Sequence, residues 1–338
     1  LFVPRKVGEL APVGRALVYA ALVLWTVVVL LPLYWVFITS FKLPIQVNDG
    51  PYYLPFIDFT PSGHAWKYVL VEVGNDTVRP YINSIIIACL STVTSLAVGS
   101  MAAYALTRIR YRVKLGLVAG FAAALAGVIL AVAAGVLWEA AAIAGSAAYF
   151  LFAAGLGRRF RRSLGNNDIL FWMLSNRILP PVVVVLPIYI MFQQLGLLDT
   201  HLAMILTYAV VNLPIVVWLM RDFFAGIPLD LEESAEIDGA SRFGILLTIV
   251  LPLARAGLVA TALLVFILSW NEYLLALFLS TADAQTLPIL VTAQNTTRGP
   301  QWWYMSVLIV IMIVPVILLA LALQKHIARG LLVGAVKG

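Results

Sequence analysis

From Ala16 to Phe37 the chain runs for 22 residues without one charged side chain. The hydrocarbon core of a bilayer takes roughly 20 apolar residues of helix to cross, so this run reads as a membrane-spanning helix. Similar runs follow at about Ile82 to Leu106, Ile169 to Phe192, Leu202 to Met220, Gly257 to Leu279 and Trp303 to Leu323. Residues 115–157 form an Ala- and Gly-rich apolar block too long for one crossing. It reads as two helices turning near Gly135 to Glu139. Composition agrees: 62% of the 338 residues are hydrophobic and 11% are charged, with mean hydropathy +0.99, whereas soluble domains carry about 25% charged residues. The expected fold is an all-α integral membrane protein of about eight spans.

A secretory leader has a shorter apolar part and a small-residue cleavage site. Pro32-Leu-Tyr-Trp35 offers none, so the first run is expected to be a retained helix. Residues 39–80 are more polar and hold Tyr52, Tyr53, Trp66 and Tyr68. They read as an extracytoplasmic loop with an interfacial aromatic belt. Pro180-Pro181 and Pro187 should kink or unwind the span at 169–192. Gly99-Ser-Met-Ala-Ala103 supplies small residues for close helix approach.

Basic residues orient the chain. Arg5, Lys6 and Arg15 precede the first span, Arg108, Arg110, Arg112 and Lys114 follow the second, and Arg158, Arg159, Arg161 and Arg162 close the 115–157 block. With Arg221, Arg242 and Arg255 and the basic tail, 17 of the 22 Lys and Arg fall on one side; Lys42, Lys67, Arg79 and Arg298 fall on the other. Positive charge marks the cytoplasmic side. Both termini and the loop at about 223–252 are therefore expected inside the cell, in the plasma (inner) membrane of a prokaryote. The net charge of +6 reads as membrane orientation, not nucleic-acid binding.

That loop is polar yet patterned. Asp230 and Glu233 suggest a capping box, opening a short acidic helix over Leu231 to Ile237 that stops at Asp238-Gly239. A second helix is expected from about Ser241 to Val250, with Pro252 opening the next segment. The spacing resembles the cytoplasmic motif of ABC-importer permeases, E-A-A, three residues, G, nine residues, I-x-L-P. Glu233, Ala235, Gly239, Ile249, Leu251 and Pro252 hold those positions, with Ser234 replacing the first alanine. Asn83-Ser84 and Ala103-Tyr-Ala-Leu106 also resemble the family, and the tail from Gln324 to Gly338 resembles its maltose-type, sugar-importing branch.

The resemblance implies a six-helix permease core over 16–323, a cytoplasmic N-terminus at 1–15 and a cytoplasmic tail at 324–338. The 115–157 hairpin departs from the family pattern and reads as an insert that packs against lipid or a partner. Glu233, Ser234, Ala235, Asp238, Gly239, Ala240, Ile249, Leu251 and Pro252 would form the coupling element that sits in a cleft of an ATPase subunit. The implied partners are two ABC ATPase subunits, a second permease read as a homologous but different chain, and an extracytoplasmic solute-binding protein.

Polar residues inside spans mark the second candidate site, because burying them in lipid is costly. They are Trp270, Asn271, Glu272 and Tyr273 in the seventh expected helix, Arg177 in the fifth and Asn212 in the sixth. Two readings stand. They line a sugar-sized path, with Trp270 or Tyr273 stacking on a ring, or they make a structural pair such as Arg177 with Glu272. The chain has no G-x-x-x-x-G-K-[ST] phosphate loop, so ATP and Mg are expected on the partner ATPases, with no cofactor here and no enzymatic activity. Cys89, the one cysteine, is expected to be buried, and His64, His201 and His326 show no metal spacing. The alternative to an importer permease is a secondary transporter or membrane enzyme without an ATPase partner.

Overall fold

In the computed structural model the described residues are 11–155, 159–160, 162–178, 180–297 and 299–335, with side chains described as far as 324. The charges expected at Arg5, Lys6, Arg158, Arg161 and Arg298, and the tail side chains beyond residue 324, lie outside them. In chain order the helices are α1 (Pro12–Thr39), α2 (Pro44–Asn48), α3 (His64–Lys67), α4 (Gly74–Arg108), α5 (Leu115–Ala133) and α6 (Trp138–Ala154). There follow α7 (Asn166–Ile178), α8 (Pro181–Gln194), α9 (His201–Ala225), α10 (Asp230–Ile237), α11 (Arg242–Ile245) and α12 (Leu251–Leu253). The last four are α13 (Arg255–Trp270), α14 (Leu274–Leu279), α15 (Leu287–Ala293) and α16 (Trp302–Ala335).

Among the described residues five helices are long and apolar enough to span a membrane: α1, α4, α5, α9 and the Trp302–Gln324 part of α16. Two broken pairs, α7 with α8 and α11–α12 with α13, raise the number to seven if each pair is one span. The shorter apolar α6, of 17 residues, sits at the lower limit of a span. The all-α membrane fold is as expected. The 39–80 segment is more ordered than a loop: it holds α2, α3, a π-helical turn at Tyr68–Glu72 and the start of α4.

The chain divides into two compact units, each held in its own way. One comprises residues 1–88, 186–204 and 270–322. Its small core packs Ala65, Val69, Val307 and Leu308 under Trp66, Tyr68, Trp303 and Tyr304. Asp199 also organises it, with both carboxylate oxygens taking backbone N–H bonds from Thr281, Ala282, Asp283 and Ala284 at 2.9 to 3.0 Å. Burial pushes its pKa up, but four N–H donors outweigh that and hold it well below the usual carboxylate value. Asn83 ties the same turn to α4 by donating to the carbonyls of Asp283 and Gln285.

The other unit comprises residues 89–185, 205–269 and 323–338. Here α4 presents Ser91, Ser95 and Ser100 inward, and Ser95 donates to the Ala209 carbonyl at 3.2 Å. A Cβ on Gly99 would lie 2.5 Å from Val216, and one on Gly257 would lie 2.2 Å from Phe223. These glycines let α4 and α13 close onto α9, the kind of contact that packing in lipid rewards. Cys89 is exposed, contrary to expectation. The buried stripe of α4 runs through Ser84, Ile87, Ala88, Ser91 and Ser95 at helical spacing, and Cys89 points off it.

The Ala- and Gly-rich block is a hairpin. Gly135, at φ 91°, permits the turn between α5 and α6, and towards the other end of the hairpin Phe121 packs edge-on against Tyr149. Val113–Lys114 pairs antiparallel with Ser163–Leu164, and Leu115 N–H donates to the Arg162 carbonyl at 3.0 Å. Asn166 accepts from Tyr111 N–H and donates to the carbonyls of Leu106 and Ile109. The hairpin thus leaves and rejoins the chain at one place.

Candidate functional site

Asp230 and Glu233 were expected to open a helix through a capping box. The helix forms, but the box does not: Leu229 occupies the N-cap position without a side-chain bond, and Asp230 is already helical. Ser234 hydroxyl donates instead to the Asp230 carbonyl at 2.8 Å. Acidic residues in the first turn, Asp230, Glu232 and Glu233, still oppose the positive end of the helix dipole.

Gly239 ends α10 at φ 85°, with open space where a Cβ would stand. Glycine is therefore required by backbone conformation and not by a collision. The Ala240 N–H closes the turn onto the Ala235 carbonyl at 2.9 Å. Ser241 caps α11 by accepting from Gly244 N–H. The helix then passes through a π-helical turn at Leu246–Val250 into α12 and bends by 84° into α13. Ala235, Ile249 and Leu251 pack on the core built from α4, α7 and α9, while Glu233, Asp238 and Pro252 face outward.

The residue that anchors this knob is Glu232, which the motif does not contain. It is buried and accepts from Tyr104 hydroxyl at 2.9 Å and from Arg108 Nε at 2.8 Å. Arg108 Nη2 completes the ion pair at 2.6 Å and donates to the carbonyls of Phe224 and Ile227 at the end of α9. One guanidinium thus ties together the ends of α4 and α9 and the start of α10. Both charges are paired and hydrogen-bonded, the condition under which burial is tolerated. Away from this anchor the knob leaves two large apolar side chains uncovered, Ile237 at 87% and Phe243 at 58% exposure, beside an ion pair of Glu236 and Arg242 at 3.6 Å.

The other candidates fall into two sets. In the second unit Arg177 donates to the Val211 carbonyl and to Asn212 Oδ1 at 3.0 Å. Asn212 Nδ2 donates to Ser269 Oγ at 3.0 Å, and Ser91 hydroxyl reaches Ser269 at 3.2 Å. In the first unit Trp270 is buried, donates to the Met312 carbonyl and meets Tyr81 edge-on. Asn271, Glu272 and Tyr273 do not lie within a helix as expected. The chain breaks there between α13 and α14, and Glu272 Oε1 accepts from Leu275 N–H at 3.1 Å. A carboxylate that takes up a free N–H at the new helix start makes such a break tolerable.

Residues 149–333 match the model of the binding-protein-dependent transport system inner membrane component family. The chain belongs to that family. This permease is 31% identical over 313 residues to the trehalose transport system permease protein SugB of Mycobacterium tuberculosis, covering 91% of this chain and 93% of that one. It is 28% identical over 328 residues to the trehalose/maltose transport system permease protein MalG of Thermococcus litoralis, covering 96% and 97%. In fold it is similar to a chain in the crystal structure of a bacterial ABC transporter that imports the acidic polysaccharide alginate, with a TM-score of 0.62, 22% identity and coverage of 96% and 100%. Membership decides for a transport permease over a secondary transporter or membrane enzyme.

Proposed function

We propose that this permease carries a sugar, polyol or related solute into the cytoplasm as part of an ATP-driven importer, and that the α10–α12 knob couples it to separate ATPase subunits. The observation that carries the reading is that the knob is both anchored and open. Glu232 fastens it to α4 and α9, and away from this anchor it offers Ile237 and Phe243 to a partner. A cleft that buries two such apolar side chains gains about 1.5–3 kcal/mol from each. Movement of the partner would then pass through the buried ion pair to two membrane helices. The carbohydrate class is supported by relatives named for trehalose and maltose transport. ATP and Mg would sit on two ATPase subunits, with a second permease and an extracytoplasmic solute-binding protein completing the assembly.

Within the membrane we assign different roles to the two polar sets. Arg177, Asn212, Ser269 and Ser91 hydrogen-bond between helices and are read as structural. The break at Asn271, Glu272 and Tyr273 is the better candidate for the path: unwound backbone at membrane depth is tolerated where it is buried in protein or lines a cavity, and these three residues are not buried.

Reconstitution with the cognate ATPases and binding protein tests the reading. ATP hydrolysis should rise when the binding protein is loaded with its solute, and uptake should need ATP. Solute movement driven by an ion gradient with no ATPase present would overturn it. Orientation has its own test: Ala140→Cys in a Cys89→Ser background should react with an impermeant thiol reagent from outside the cell. Reaction only from the cytoplasmic side would invert the hairpin.

A further inference from the structure

The turn at residues 51–59 belongs to the first unit and takes no part in the sites above. It is tightly built. Asp58 Oδ2 accepts from Tyr53 and Leu54 N–H at 2.7 and 2.9 Å, and Phe56 N–H donates to the Phe59 carbonyl at 2.8 Å. Beneath it Lys42 is buried, donates to the Tyr52 carbonyl at 2.7 Å and lies over the rings of Trp35 and Phe59. Yet its tip is apolar and uncovered: Phe56 is 85% exposed and Ile57 79%. Phe56 also holds φ at 65°, a left-handed conformation disfavoured for a bulky side chain. A rigid turn that keeps two large apolar groups out, at the cost of backbone strain, calls for something that covers them.

The position of the turn says what that is. It folds back along α1: Tyr34 hydroxyl donates to the Tyr53 carbonyl at 2.7 Å, and the rings of Trp35 and Tyr53 lie 5.5 Å apart. Tyr34 is five residues before the end of α1, about 7 Å back along its axis. At 28 residues α1 is longer than a hydrocarbon core of about 30 Å needs, and exposed Tyr34 and Trp35 are the residue types that collect at a membrane boundary. The one charge between Gly50 and Phe59, Asp58, is spent on its own backbone.

We propose that residues 51–59 are a membrane-interface anchor whose Phe56 and Ile57 enter the lipid boundary beside α1, at the depth of about 5–10 Å typical of interfacial apolar groups. The occupant of this surface is lipid. An anchor there would hold the end of α1 and the α2 segment at a fixed height in the bilayer while other parts of the permease move.

The test uses the full chain in its assembled transporter, in phosphatidylethanolamine–phosphatidylglycerol vesicles. Ile57→Cys, in a Cys89→Ser background, is labelled with a thiol-reactive fluorophore. Lipids with a nitroxide high on the acyl chain should quench the label several-fold more than aqueous iodide does. Adding Asp58→Ala loosens the turn and should shift quenching towards iodide. Quenching by iodide with none from lipid would overturn the anchor. Protection from both quenchers would overturn it too, because a protein partner would then cover the tip.

Discussion

Glu232→Lys should abolish uptake while the chain still inserts in the membrane. The substitution leaves Arg108 without its carboxylate and places a second cation beside it, in a site where Glu232 exposes 4% of its side chain and Arg108 14%. Breaking a buried pair from one side costs about 3–5 kcal/mol, equivalent to a hundredfold or larger shift at about 1.4 kcal/mol per tenfold. That energy is concentrated on the seat of α10, so the knob should detach before the spans unfold. Glu232→Gln keeps an acceptor for Tyr104 and should be milder. Replacing both partners, Arg108→Met with Glu232→Leu, should recover part of the assembly, since apolar groups of similar volume tolerate burial. Uptake assays and co-purification of the ATPase read the result. Full uptake with Glu232→Lys would remove the ion pair from the coupling route.

Gly239→Val should also stop uptake, for a different reason. At φ 85° any L side chain is strained, by roughly 1–2 kcal/mol, and a β-branched one fits worst. Open space around the position means that size is not at issue, so Gly239→Asn should retain more activity than Gly239→Ala or Gly239→Val. Glu233→Lys acts on the exposed face and should lower the stimulation of hydrolysis by loaded binding protein. Ser234→Ala gives up one exposed bond to the Asp230 carbonyl and should be silent, within about 0.5 kcal/mol. Equal uptake for the glycine, asparagine and valine forms would show that the turn carries no coupling.

Much of the molecule could be read before any coordinates. The apolar runs predicted spans because bilayer thickness sets helix length, a local property of the chain. The stop at Gly239 was legible for the same reason, and so was the break before Pro181. The break after Trp270 was not, because no proline or glycine marks residues 271–273; its carboxylate cap at Glu272 emerges only with the fold. The acidic start of α10 is legible in the sequence, but the acid that anchors it is not. Asp230 and Glu233 matched a local capping pattern, and both remain outside the role that the pattern suggested.

Sequence by itself determined the all-helical membrane class, the position of the knob and its glycine turn, because each follows from neighbours within a few residues or from the hydropathy of a run. Tertiary structure alone decided which carboxylate holds the knob. Glu232 and Arg108 are 124 residues apart, and nothing in either neighbourhood marks Glu232 as the acid that will be buried. Only when α4, α9 and α10 close on one another does one acid lose its water while the next keeps it. Desolvation, a property of the assembled core, makes the first an anchor and leaves the second free for a partner.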